Sequence, residues 1–271
     1  MSAVLTDGQN LMLGTIAAFI EAVILQPTLY WKNARAQQLP FTLNVQKIYR
    51  GTGAAILSEC QQMGLQFLFT GMSKKYLIRN STNDQNAKAT EFVAAGLGGI
   101  MASFLACPTE LVMIQQQKFG GSFVSTSATV LNKYGFLHRG MMRGLPAAMG
   151  RDAIYVTGML AVTPVLQTHL ERDFGLSPPL AGIYASMIGG IVAAVPSHPF
   201  DVVKTCMQGD LAGEQYKSMA HTCRTLWQAG GLRRLFYGCM WRTVNITATV
   251  YIANECRYHL SPILERIHVS L

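Results

Sequence analysis

The segment PFDVVK, residues 199–204, places an aspartate and a lysine three positions apart just after a proline in an apolar run. Two related segments are PTLYWK at residues 27–32 and PTELVM at residues 108–113. Their prolines stand 81 and 91 residues apart in a chain of 271 residues. Self-similarity at a period of this length is typical of repeat proteins. The sequence therefore predicts three structural repeats.

Two further features recur in the same order around each proline. Small residues stand thirteen, nine and five positions before it, a spacing that places them on one helical face where a neighbouring helix can approach closely in a membrane. A turn ending in glycine follows it: YRG at 49–51, MRG at 142–144 and FYG at 236–238. Each repeat is predicted to hold two helices around a loop, over 9–37, 52–76, 90–118, 145–170, 178–208 and 239–260.

The composition favours a membrane protein. Half of the residues are apolar and 13% are charged, whereas about 25% of residues are charged in ordinary soluble domains. Glu21, Glu59, Arg151 and Glu255 interrupt the candidate spans, and such spans suit helices that enclose a polar cavity. The three loops within the repeats carry 14 of the 22 Lys and Arg residues. These loops are therefore predicted to face the positive-inside compartment.

Several function classes receive no support from the residues. The net charge of +8 needs no nucleic acid, because anionic lipid headgroups beside the loops suffice. The six cysteines form no CxxC pair, and His198 has no second histidine or cysteine at ligand spacing, so no metal site is expected. No nucleophile and base pairing or Gly-rich phosphate loop is recognisable. We therefore expect no catalytic residues and no enzyme.

The three repeats of about 90 residues resemble the mitochondrial carrier family. The resemblance covers nearly the whole chain and is strongest in the third repeat, at PFDVVKTCMQ. It implies an all-α membrane protein, with six transmembrane helices in a pseudo-threefold barrel of three helix-loop-helix repeats that form one integrated domain. The implied repeats are 1–82, 83–172 and 173–271. It also implies the mitochondrial inner membrane, termini toward the intermembrane space, and exchange of small metabolites by alternating access.

In the family, the proline kinks each odd-numbered helix, here at Pro27, Pro108 and Pro199, and charged pairs close the matrix side. Such a matrix gate is formed by the acid of one repeat and the base of the next. The implied pairs are Glu110 with Lys204, Asp201 with Lys32, and the apolar Leu29 with Met113. Because replacing both partners of an ion pair can be nearly neutral, two bridges are expected to remain. The alternative is that Leu29 and Met113 face lipid. Replacing Lys32 or Asp201 alone is expected to open the matrix side, and exchanging their charges is expected to restore closure.

The resemblance also implies a substrate-binding set that points into the cavity at mid-membrane. Its members are Ser58, Glu59, Arg151, Asp152 and Asn245. The Arg151-Asp152 pair is similar to the pattern of carriers for amino acids and carnitine-like zwitterions, where the base takes a carboxylate and the acid an ammonium group. The alternative is that Arg151 and Asp152 satisfy each other or Glu59 and hold the barrel shut. Glu21 either faces the same cavity or pairs with a neighbour.

Lipid is the other expected ligand. Gly51, Gly144 and Gly238 open the even-numbered helices, whose free N–H groups form a natural phosphate site. In the family this is where cardiolipin binds, so bound cardiolipin is expected and no other cofactor. Arg242 is likewise expected to contact a lipid phosphate.

Two departures from the family pattern leave two hypotheses open. The even-numbered helices carry no clean copy of the aromatic-acid-x-x-base motif that closes the other side, and the first repeat has only 24 residues from proline to glycine, against 36 and 39 in the others. One hypothesis is a solute carrier that exchanges an amino-acid-like or carnitine-like metabolite. The other is a carrier fold retained as a structural subunit, with protein partners in an inner-membrane complex.

Overall fold

The structure is a computed structural model that describes residues 7–79, 87–137 and 139–269. All regular elements in these residues are helical, and no strand occurs among them. The eleven α-helices are α1 (Asp7–Ile24), α2 (Gln26–Ala36), α3 (Val45–Ile48), α4 (Thr52–Arg79), α5 (Ala87–Phe119), α6 (Phe123–Tyr134), α7 (Leu145–Thr157), α8 (Thr163–Asp173), α9 (Pro178–Gly209), α10 (Met219–Leu235) and α11 (Cys239–Val269). The all-α class is confirmed.

The first predicted helix is broken in two. Residues 9–37 were expected to form one helix, but α1 ends at Ile24 and α2 begins at Gln26. Leu25 between them has φ −93° and ψ 0°, outside the helical range, and Pro27 lies in the first turn of α2. That position suits proline, since the first turn of a helix needs no N–H donor. By contrast, Pro108 and Pro199 lie inside the continuous helices α5 and α9, where kinks remain a prediction.

The predicted helix over 145–170 is also interrupted. A π-helical turn, Gly158–Val162, separates α7 from α8, and Pro164 lies in the first turn of α8. A proline here cannot donate to the preceding turn, so the backbone hydrogen bonds shift to a wider spacing. The other long helices follow the predicted ranges, with extensions of up to about one turn in most cases and nine residues in α11.

The loop helices differ sharply in length between the repeats. Helix α6 has 12 residues and α10 has 17, but α3 has only four. The short α3 is what the 24-residue spacing of the first repeat predicts.

The long helices pack in chain order and then close on themselves. Helix α4 packs on α1 and α5, α5 on α7, α7 and α8 on α9, and α9 on α11. Helix α11 returns to pack on α1 and α2. Among the described residues, two segments, Phe92–Phe119 and Pro178–Gly209, are long and apolar enough to cross a membrane by length and composition. Large apolar side chains such as Ile24, Phe104 and Val192 are exposed on these helices and on α1, as a lipid solvent allows.

Three glycines begin helices at tight interhelical contacts. Gly51, Gly144 and Gly238 directly precede α4, α7 and α11 and have φ of +78°, +81° and +89°. A Cβ added at each would lie 3.1, 3.4 and 2.8 Å from a backbone oxygen of another helix. Those oxygens belong to Met113, Lys204 and Lys32, respectively. Each glycine therefore packs against the position five residues after a repeat proline.

Replacing Gly238 with alanine is expected to lower the free energy of unfolding by about 2–6 kcal/mol, since the left-handed backbone and the close contact each cost about 1–3 kcal/mol. Gly53→Ala is the matched control, because nothing lies within 4 Å of a Cβ at that helical position. Thermal unfolding of the purified protein in mild detergent measures both variants. A melting temperature of Gly238→Ala equal to that of the wild type would contradict the tight contact.

Candidate functional site

A buried cluster of charged side chains lies where α2, α5 and α9 meet. Lys32 Nζ lies 2.9 Å from Asp201 Oδ2, and Lys204 Nζ lies 2.9 Å from Glu110 Oε2. The side chain of Lys32 is 12% exposed and the other three are more deeply buried. The structure thus brings together both charged pairs implied for the matrix gate, while their role as a gate stays a prediction.

Met113 is buried and Leu29 is partly buried. Met113 belongs to a buried apolar cluster with Leu111, Ile114 and Ala55, and Leu29 packs against that cluster. The alternative that both residues face lipid is therefore wrong. Apolar packing occupies the place of the third bridge.

Arg151 lies at the centre of the charged cluster. Its Nη1 lies 2.7 Å from Glu110 Oε1 and 3.4 Å from Asp201 Oδ1. Its Nε and Nη2 donate to both oxygens of Asp152, at 2.6 and 2.8 Å. The guanidinium therefore binds three carboxylates, which its fork of five N–H donors permits. Arg151 was expected to face a solute, but in this conformation it supplies a third base to the acids of the gate.

Asp152 has no free access to a solute. Besides Arg151, it accepts hydrogen bonds from Gln62 Nε2 at 2.8 Å and from Ser103 Oγ at 2.7 Å, and it is only 1% exposed. This arrangement does not fit the expected role of Asp152 as the acceptor of an ammonium group. It agrees instead with the alternative in which Arg151 and Asp152 satisfy each other.

Arg242 also belongs to the cluster. Its Nη1 lies 3.6 Å from Asp201 Oδ2, and its Nη2 donates to Ser197 Oγ at 2.9 Å. The expectation that Arg242 contacts a lipid phosphate is wrong, because the residue is 8% exposed and points into the protein. The sequence signal that could have placed Arg242 is its position one helical turn after Gly238, the glycine that precedes α11.

The cluster therefore holds four bases and three acids, all with little exposure to solvent. The bases are Lys32, Arg151, Lys204 and Arg242, and the acids are Glu110, Asp152 and Asp201. Buried charges of this kind are costly unless they are paired. The bases exceed the acids by one, so the ionised cluster as a whole carries one positive charge.

A second polar group lines a small cavity of about 20 Å³ between α1, α2, α4 and α11. Its polar residues are Glu21, Gln26, Glu59 and Asn245. Glu21 lines this small cavity and accepts a hydrogen bond from Thr249 Oγ1, so it does pair with a neighbour, while a contact with solute stays a prediction.

The remaining predicted solute residues divide between exposed and buried positions. Asn245 Nδ2 donates to Thr28 Oγ1 at 2.8 Å. Glu59 is exposed, whereas Ser58 is buried at 3% exposure and does not line the cavity.

Comparisons with known proteins agree with this architecture. Residues 176–253 match the sequence model of the family described as mitochondrial carrier protein. The human mitochondrial 2-oxodicarboxylate carrier is 28% identical over 214 residues, which cover 71% of this chain and 67% of that protein. An uncharacterized mitochondrial carrier of Schizosaccharomyces pombe is 27% identical over 255 residues, covering 85% and 84%. The mitochondrial glycine transporter of Mus musculus is 26% identical over 214 residues, covering 76% and 63%.

Proposed function

This chain is a divergent member of the mitochondrial carrier family, and from that premise we propose that it exchanges a small zwitterionic solute by alternating access. Members of the family are transporters and not enzymes, and these relatives imply the mitochondrial inner membrane. The zwitterion is the finer part of the proposal. It rests on the cluster around Arg151 and on the carboxylates that remain outside that cluster.

The proposed architecture is a pseudo-threefold barrel of six membrane spans, with repeats 1–82, 83–172 and 173–271. The three glycine contacts support this architecture, because each glycine contacts the proline-containing helix of the next repeat and the third repeat contacts the first. Gly51 packs on α5 of the next repeat, Gly144 on α9 of the next repeat, and Gly238 on α2 of the first. The basic loops then face the matrix, and the termini face the intermembrane space.

In this arrangement the protein is closed toward the matrix. The ion pairs lie near the loop ends of α2, α5 and α9, where they hold these helices together. Glu59 and the small cavity belong to the side that opens toward the intermembrane space. A solute entering from that side meets the carboxylates of Glu21 and Glu59 and then the cluster.

The observation that carries the proposal is the double contact of Arg151 with Glu110 and Asp201. A solute carboxylate is a good partner for a guanidinium fork, so it competes with these two acids. When the solute binds Arg151, the acids lose a shared base and the matrix closure is weakened. Solute binding would then shift the population toward the open state, as a differential affinity requires.

A panel of solutes in liposomes tests the proposal. Purified wild-type protein is reconstituted into liposomes loaded with a neutral amino acid, and uptake of labelled amino acids, 2-oxo acids and nucleotides is measured. We expect uptake of an amino acid that requires internal solute, because exchange needs both half-cycles. Exchange of 2-oxo acids or nucleotides with no amino acid would contradict the zwitterionic assignment.

A structural subunit is the second candidate. Two of the described ion pairs, His169–Asp173 on α8 and His259–Glu255 on α11, each lie within a single helix. Such pairs cannot hold two helices together, and the four-residue α3 shortens one matrix loop. Extraction of the native membrane in mild detergent, followed by a native gel and mass spectrometry, separates the candidates. A carrier runs alone, whereas a structural subunit runs in a larger complex at fixed stoichiometry.

Bound cardiolipin is also part of the proposal. Gly51, Gly144 and Gly238 leave the first N–H groups of α4, α7 and α11 at the end of a helix, where phosphate binds well. Lipid analysis of the purified protein by mass spectrometry tests this. Cardiolipin should remain after detergent washes that remove other phospholipids.

A further inference from the structure

The small cavity between α1, α2, α4 and α11 carries two carboxylates without a cationic partner. Glu21 reaches it from α1 and Glu59 from α4. Neither carboxylate lies within 4.0 Å of a Lys, Arg or His nitrogen in the described part of the chain. The hydroxyl of Thr249 donates to Glu21, and Glu59 has no hydrogen-bond partner among the described residues.

The bases that act on Glu59 at longer range are held elsewhere. They are Lys32, Arg151 and Lys204, and each contacts a carboxylate of the charged cluster instead. Two acids that share a site repel each other when both are ionised. The cavity therefore favours a positively charged group that can interact with both.

An independent feature of the cavity also indicates a hydrogen-bond donor. Gln26 lines it and is fully buried. Its Nε2 donates to Ile48 O at 3.2 Å and to Arg50 O at 3.4 Å, but its buried Oε1 has no partner. Buried amide oxygens in native structures are normally paired, so an unpaired one requires an explanation. A bound ligand with a hydrogen-bond donor would give Gln26 Oε1 the partner that it lacks.

We propose that Glu21, Glu59 and Gln26 bind a primary ammonium group of the solute, an inference that rests on the proposed exchange of a zwitterion. An ammonium group carries three N–H donors, one for each of these three side chains. The cavity volume of about 20 Å³ accommodates one group the size of a water molecule. A trimethylammonium group has no N–H donor, so it cannot donate a hydrogen bond to Gln26 Oε1 or to either carboxylate. The site therefore selects amino-acid-like solutes over carnitine-like ones.

A binding measurement tests this without transport. Melting temperatures of the purified full-length protein are recorded in mild detergent with methylammonium, tetramethylammonium or sodium chloride at equal ionic strength. Methylammonium should raise the melting temperature of the wild type, because a ligand that binds only the folded state stabilises it. The other two salts should not. Equal stabilisation by tetramethylammonium or by sodium would overturn the assignment of a primary ammonium group.

Two conservative variants identify the residues. Glu59→Gln and Glu21→Gln keep the shape of each side chain and remove its charge, so both should lose the methylammonium shift. Glu214→Gln, in an exposed loop, is the matched control and should keep it. A full shift in both cavity variants would overturn the proposal, and two variants guard against the failure of one to fold.

A transport measurement separates this inference from the proposed function. In liposomes, the wild type should exchange an amino acid but not its N,N,N-trimethyl derivative, and Glu59→Gln should lower the exchange at least about tenfold, the factor that corresponds to losing one good polar contact. If amino acids are exchanged equally by the wild type and both cavity variants, the proposed ammonium site is wrong but the proposed exchange of a zwitterion is still supported. If no zwitterion is exchanged but methylammonium still stabilises the wild type, the proposed exchange of a zwitterion is wrong but the proposed ammonium site is still supported.

Discussion

Replacing Arg151 with alanine is expected to lower the free energy of unfolding by about 3–5 kcal/mol, the range found when one partner of a buried ion pair is removed. The physical reason is that Arg151 alone contacts three buried carboxylates. Without it, Asp152 retains only the neutral donors Gln62 and Ser103. Thermal and denaturant unfolding of the purified protein in mild detergent measure the effect.

Two further variants sharpen this prediction. Arg172→Ala removes an exposed arginine of α8 and should leave the melting temperature unchanged. Arg151→Lys keeps the charge but replaces a rigid fork with a single ammonium, which cannot bind Asp152 at two atoms and also reach Glu110. It should therefore recover only part of the loss. A melting temperature of Arg151→Ala equal to that of Arg172→Ala would contradict the central position of Arg151.

Replacing Asp201 with asparagine is expected to cost more than replacing Lys32, the base nearest to it. Asp201 lies 2.9 Å from Lys32, 3.4 Å from Arg151, 3.6 Å from Arg242 and 4.0 Å from Lys204. Asp201→Asn leaves four buried bases against two acids, so we expect a loss of about 3–5 kcal/mol. Lys32→Met leaves three bases and three acids, and its loss should be smaller. Denaturant unfolding ranks the two variants, with the exposed Asp173→Asn as the control.

The double variant Lys32→Asp, Asp201→Lys tests whether this pair is isolated. The family resemblance implied that exchanging the two charges restores closure. The structure changes that expectation, because a lysine at position 201 would face Arg151, Arg242 and Lys204 with no acid of its own except the carboxylate introduced at position 32. The double variant should therefore be no more stable than Asp201→Asn. Recovery of wild-type stability would show that the pair acts alone and would contradict the shared network.

The charged pairs could be predicted from the sequence because helical spacing fixes them. An acid and a base three residues apart lie on one face of a helix, and the repeat places these faces at equivalent positions. Thus Lys32, Glu110, Asp201 and Lys204 meet as implied by the resemblance. The burial of Met113 also follows, since an apolar pair has no reason to face the charges.

The direction of Arg151 could not be predicted in the same way. Its position seven residues after Gly144 indicated the cavity, but a long side chain with several rotatable bonds can reach groups more than one helical turn away. The gate residues also gave no hint of a third base, because Glu110 and Asp201 already have Lys204 and Lys32 as partners. Similarly, a proline breaks the helix at Leu25 but lies inside continuous helices at Pro108 and Pro199. Tertiary packing decides between these outcomes, and local sequence does not.

The most direct test of the link between solute binding and closure is the uptake of a labelled amino acid by liposomes that contain either the wild type or Arg151→Gln, loaded with the same amino acid. Arg151→Gln is used because it removes the charge while keeping a polar side chain. We predict rapid exchange by the wild type and background uptake by the variant, with the exposed Arg172→Gln variant behaving as the wild type. Undiminished exchange by Arg151→Gln would contradict the link, and no amino acid exchange by the wild type would contradict the zwitterion carrier itself.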